Sequence, residues 1–132
     1  MGNRAVIATG KKPTDIGIYL HWNGGPESVL AFVRAAKDLG MREPDKNGDQ
    51  SYGMARLTQI IANFFGGSIS IGIGTLDHLD CDNGDNGVYY IHPGWTLKRE
   101  DGATVTCDKD QQERMEGIYQ ETMQKNKAHV KE

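Results

Sequence analysis

The chain has 132 residues, a formal net charge of -3 and 37% hydrophobic residues, with a pI near 5.8 and a mean hydropathy of -0.59. That length supports one buried core but not two, and the acidic balance argues against a general nucleic-acid binder, which carries a basic surface. No apolar run approaches the ~20 residues of a membrane helix, and the start has neither a long apolar leader nor, at its sixth position, the Ser or Thr of a myristoylation signal, so a cytoplasmic location is expected.

In chain order, Arg4 to Thr9 reads as a short strand closed by Gly10-Lys11-Lys12-Pro13. Ile16, Ile18, Leu20 and Trp22 alternate with Gly17, Tyr19 and His21, the period of a strand with one buried face. The short link makes the two strands antiparallel neighbours. Asn23-Gly24-Gly25 ends the second strand, and Pro26 stands where a helix begins. From Glu27 to Leu39, Val29, Phe32, Val33, Ala36 and Leu39 form one helical stripe, with Gly40 as the C-cap. Residues 42–51 are a polar loop. Tyr52 to Phe65 is a second helix, with Met54, Leu57, Ile60, Ile61 and Phe64 inward and Gly66-Gly67 as its stop.

Ile69, Ile71 and Ile73 alternate with Ser70, Gly72 and Gly74 as a third strand. Residues 77–87 are a turn region, Val88 to His92 a fourth strand, and Trp95 to Arg99 a continuation or a further strand. Residues 109–127 form a helix sparse in apolar residues, with Met115, Ile118, Tyr119 and Thr122 or Met123 at helical spacing, and 125–132 fray. The expectation is an α+β fold: an antiparallel sheet packed on an antiparallel helix pair over residues 1–107, and a C-terminal helical extension over 108–132 that packs weakly or joins a partner subunit.

The passage from strand to helix is the most informative stretch. Amides around Gly24 and Gly25, beside His21, Trp22 and Asn23, suit an anionic or planar ligand at a helix start, with Trp22 or Tyr19 stacking on its ring. A tight turn that needs glycine, with Trp22 in the core, explains the same residues. Neither the GxGxxG nor the GxxxxGK[ST] pattern is present.

Asp77-His-Leu-Asp-Cys-Asp-Asn-Gly-Asp-Asn-Gly87 gathers acids in the manner of a calcium loop, yet Ile91 and Pro93 occupy the positions of the bidentate Glu. It reads as a turn whose Asn83 and Asn86 can contact a ring or sugar edge. His78, Cys81, His92 and Cys107 are zinc-capable but match no common spacing, and two cysteines fit a reducing compartment better than a disulfide scaffold. No metal and no cofactor are expected. Arg56 and Asn63 flank one helix face, either solvated or lining a recess. Tyr89, Trp95 and Arg99 are further candidates, for stacking and for charge. Nothing names a nucleophile or a general base.

Met1-Gly-Asn-Arg-Ala-Val-Ile7, Ile16-Gly-Ile-Tyr-Leu-His-Trp-Asn-Gly-Gly25, Ala62-Asn-Phe-Phe-Gly66 and Asp82-Asn-Gly-Asp-Asn-Gly-Val88 resemble a group of small proteins carried by phages, prophages and mobile elements of Firmicutes. Short proteins of such elements are often anti-defence factors. In size and helix-pair organisation the chain is similar to the Thoeris anti-defence sponges, which hold cyclic ADP-ribose-type signals without cleaving them, in recesses between subunits. No residue role is carried over from them. The resemblance implies a non-enzymatic homo-oligomer that sequesters a nucleotide-derived signal. Two alternatives stand beside it: an acidic, protein-binding inhibitor of a defence effector, similar to an anti-CRISPR, and an enzyme that degrades such a signal.

Overall fold

The computed structural model describes residues 2–44 and 50–127. Met1, residues 45–49 of the expected polar loop and the last part of the expected fraying tail lie outside the described residues. The elements are β1 (Ala5–Ala8), β2 (Ile16–Leu20), α1 (Pro26–Asp38), α2 (Gln50–Phe65), β3 (Ile71–Thr75), β4 (Val88–His92), β5 (Thr96–Lys98) and α3 (Lys109–Lys127).

β1 is apolar without alternation, Ala-Val-Ile-Ala, because it is central and buried on both faces. The sheet order is β3-β2-β1-β4-β5. The sheet is mixed rather than wholly antiparallel, since β1 and β4 run parallel. Residues 76–87 are the reason. β3 runs antiparallel to β2 and so in the direction of β1. The segment then passes across to the far side of β1 and starts β4 in that same direction. On the way Leu76 and Leu79 cover Gly17, where a Cβ would meet Leu79 Cδ1 at 2.9 Å and Val6 Cγ1 at 3.1 Å.

The three helices cover the opposite face. Ile7, Ile18, Leu20, Tyr89, Ile91 and Leu97 of the sheet join Phe32, Leu57, Ile60 and Ile61 of α1 and α2 in one core. α1 and α2 both end on a left-handed glycine. Gly40 has φ 75° and Gly66 φ 78°, and the amides of Met41 and Gly67 reach back to the carbonyls of Ala36 and Ala62, which satisfies carbonyls the helix leaves open. The β3 strand starts later than its alternation predicts: Ile71 N–H donates to the Ser68 carbonyl, and Ile69 stands fully exposed on that turn.

α3 begins in a reciprocal cap, Asp108 with Gln111, and lies against both α1 and α2. Its sparse apolar stripe is supplemented by polar contacts. Buried Asn126 donates to the Ile60 carbonyl at 3.1 Å and accepts from Asn63 at 2.8 Å. Arg34 of α1 stacks on Tyr119 at 3.8 Å and pairs with Glu116 at 2.6 Å.

Candidate functional site

The residues expected at the strand-to-helix passage do converge, and what they enclose is the chain's own N-terminal segment. Asn3 N–H donates to the His21 carbonyl, and Gly24 N–H donates to the Asn3 carbonyl, each at 2.8 Å. Asn86 donates through Nδ2 to Asn3 Oδ1 at 2.7 Å and to the Arg4 carbonyl at 3.0 Å. Tyr89 donates its hydroxyl to the Gly24 carbonyl at 2.7 Å. The Arg99 guanidinium lies 4.1 Å over the Tyr89 ring and donates to the Asn86 carbonyl.

This network corrects several expectations. The Gly24 amide is spent on Asn3, so it is not available to a phosphate. At Gly25, the N-cap of α1, Glu27 folds its own carboxylate back, close enough that a Cβ on Gly25 would meet Oε1 at 2.2 Å. That acid pairs with Arg114 at 3.2 Å, and it repels a second anion from the helix start. Asn23 turns the chain at φ 58° and donates to the Ser28 hydroxyl.

Tyr89 is fully buried and Trp95 nearly so, with the indole N–H on the Met41 carbonyl, and neither ring offers a face for stacking. Asn83 is buried as the organiser of its loop. Its Nδ2 donates to the carbonyls of Asp80 and Gly87, and its Oδ1 accepts from the amides of Asp85 and Gly87. Asn63 is held in the α2–α3 seam by Asn126. Arg56 lies along its own helix, bonded to the Tyr52 carbonyl at 3.3 Å and near that ring.

His21 and Trp22 remain open. Trp22 is 44% exposed, and its ring meets His21 edge-on at 5.0 Å. The His21 Nδ1 and the Tyr19 hydroxyl share a hydrogen bond at 2.9 Å. Tyr19 and His21 are two apart on the strand direction, which puts them on one face. With Ile69, Ser70, Ile71 and Gly72 they line a recess of about 360 Å³.

The same His21 borders a second recess of about 470 Å³ with Gly2, Arg4 and Asp85. There Arg4 donates through Nε to Asp85 at 2.8 Å, with Asp80 at 3.7 Å beyond. The hydrogen bond from Arg4 holds the Asp85 carboxyl below the usual range, and Asp85 in turn raises the Arg4 guanidinium. His21 is thus the shared wall between an aromatic hollow and a polar one. Sequence reasoning named His21, Trp22 and, as a stacking ring, Tyr19, but missed Arg4 and Asp85 as a pair, because that pair joins distant parts of the chain.

A larger recess, about 570 Å³, lies under the 76–87 segment between Lys11, Leu76, Cys81 and Tyr90. Asp77, Asp82 and Glu100 rim it, and Lys11 is bonded to the Glu100 carbonyl at 2.6 Å. This rim disfavours anions. Burial pushes the Cys81 thiol up, so it is not an activated thiolate. Among the described residues no group of three His, Cys, Asp or Glu side chains stands where it could hold a metal ion, and no helix is long and apolar enough to cross a membrane. No family model, curated protein or solved structure matches this chain.

Proposed function

We propose that this protein binds a small nucleotide-derived molecule at His21 without altering it, and that it serves as an anti-defence factor of a mobile element by sequestering an immune signal. The observation that carries the reading is the placement of His21 between two adjoining recesses of opposite character. The exposed Trp22 ring offers a face to a base, and stacking of that kind tolerates any base. Tyr19, His21 and Ser70 supply hydrogen bonds along its edge.

The polar recess receives the sugar and phosphate. Among the described residues that line it, Arg4 is the cation and already shares its charge with Asp85, so the recess suits ribose hydroxyls and a single phosphate rather than a polyanion. Phosphate therefore sits beside Arg4 in this reading and not at Gly24 and Gly25. The resemblance to mobile-element proteins supplies the biological setting.

Isothermal titration with cyclic ADP-ribose isomers and with cyclic oligonucleotides tests the proposal. Saturable heat with one of them, with weaker affinity in Trp22→Ala, is expected. No heat with any of them overturns it. The acidic-inhibitor alternative is weakened because Asp80 and Asp85 of the 77–85 segment both pair with Arg4.

A further inference from the structure

The two edges of the sheet are finished differently. The outer side of β5 is covered by residues 103–105, through a bridge from Lys98 to Thr104 and hydrogen bonds from Arg99 to Ala103 and from Val105 to Leu97. Among the described residues, the outer side of β3 has no strand beside it. Proteins normally blunt such an edge with a charge, a proline or a bulge, and from Gly66 to Leu76 there is neither a charged residue nor a proline. Instead Ile73 is 59% exposed and Ile69 fully so.

The backbone shows what this edge fits. In an antiparallel pair, alternate residues turn their N–H and C=O groups toward the neighbour. His21 N–H donates to the Ser70 carbonyl. By the register of β2 with β3, Ser70, Gly72 and Gly74 face β2, and Ile71, Ile73 and Thr75 face outward.

Of the outward groups, the Ile71 amide is taken by Ser68 and the Thr75 carbonyl by His78. Among the described residues, what is left without a partner is the amides of Ile73 and Thr75 and the carbonyls of Ile71 and Ile73. This set is symmetric about Ile73. A second antiparallel β3 with Ile73 opposite Ile73 and Ile71 opposite Thr75 satisfies every one of these groups, and a shift by two residues in either direction leaves some unpaired. Self-complementarity about a point is the property a two-fold interface requires.

We infer that the occupant of this edge is a second copy of the chain, paired β3 to β3 about Ile73, so that one sheet runs through a symmetric dimer. The exposed Ile73 side chains then lie beside each other on the helix-bearing face. The glycines at 72 and 74 leave the other face flat. The inference does not depend on what His21 binds.

Light scattering coupled to size exclusion tests it. The wild-type chain is expected at twice its 14.6 kDa mass, and Ile73→Lys, which sets two ammonium groups on the axis, at the monomer mass with an unchanged circular dichroism spectrum. A monomeric wild type, or a dimer that survives Ile73→Lys, overturns the inference. Should Ile73→Lys fail to fold, Ile73→Cys in a Cys81→Ser, Cys107→Ser background decides. Facing residues in this register have Cα atoms about 5.5 Å apart, inside the range a disulfide spans. Mild oxidation should cross-link that variant, and no cross-link overturns the inference.

Discussion

The Tyr89 hydroxyl donates to the Gly24 carbonyl at 2.7 Å inside the core, and so ties the start of β4 to the turn that enters α1. Tyr89→Phe keeps the ring and removes the donor, leaving a buried carbonyl unsatisfied. The expected loss is about 1–3 kcal/mol, read as a lower urea midpoint with an unchanged slope.

The same phenol gives the protein an alkaline limit. Burial, only partly offset by Arg99, pushes the Tyr89 pKa up to about 12, against 10 for a free tyrosine. A raised folded value means that the stability the neutral phenol confers is complete below pH 10 and is lost as pH climbs toward 12. Wild type should lose stability across that window more steeply than Tyr89→Phe, measured by urea unfolding at each pH.

Asp85 acts at the other end of the scale. Its hydrogen bond from Arg4 depresses its folded pKa, so its contribution is present above the usual carboxylate value and disappears as pH falls through the lowered one. Asp85→Asn should flatten the acid arm of the stability profile below about pH 4. An identical acid arm in the variant would show that the pair is idle.

Gly24 and Gly67 should respond in opposite ways to alanine. A Cβ at Gly24 meets the Asn3 carbonyl oxygen at 2.5 Å and Ala5 Cβ at 2.8 Å, both on chain that cannot swing aside, whereas a Cβ at Gly67 meets nothing within 4 Å. Gly24→Ala should cost about 1–3 kcal/mol and Gly67→Ala stay within about 0.5 kcal/mol, by thermal or urea unfolding.

Trp22→Ala separates fold from binding. At 44% exposure the indole contributes little to the core, so stability should change by no more than about 0.5 kcal/mol. Affinity for a base-bearing ligand should drop by about 1–3 kcal/mol, the size of one stacking contact. Unfolding of Trp22→Ala would place the ring in the core instead.

The element order was legible because its signals are local: the alternation of β2, the stripe of α1, and the glycines that stop both helices. The parallel pairing of β1 with β4 was not, because it depends on how residues 76–87 travel across the sheet, and periodicity carries no such information. The site was half legible. Residues chosen for ligand-binding chemistry, Gly24, Asn86, Tyr89 and Arg99, do meet in space, but Gly24 and Asn86 spend their hydrogen bonds on Asn3 and Arg4, Tyr89 on Gly24 and Arg99 on Asn86. Donor-rich residues gather around backbone as readily as around a ligand, since buried polar groups of either kind must be paired. Trp22 and Trp95 show the same limit, because one is open and the other buried although both adjoin a strand end and a glycine-containing turn.

The central claim is that the protein holds its ligand unchanged. Incubation with the titrated nucleotide-derived compounds, removal of free compound, heat denaturation and mass spectrometry of what is released tests it directly. The account predicts release of one compound at its original mass from wild type and less of it from Trp22→Ala. Release of a compound of altered mass, or retention of nothing by wild type, would contradict it.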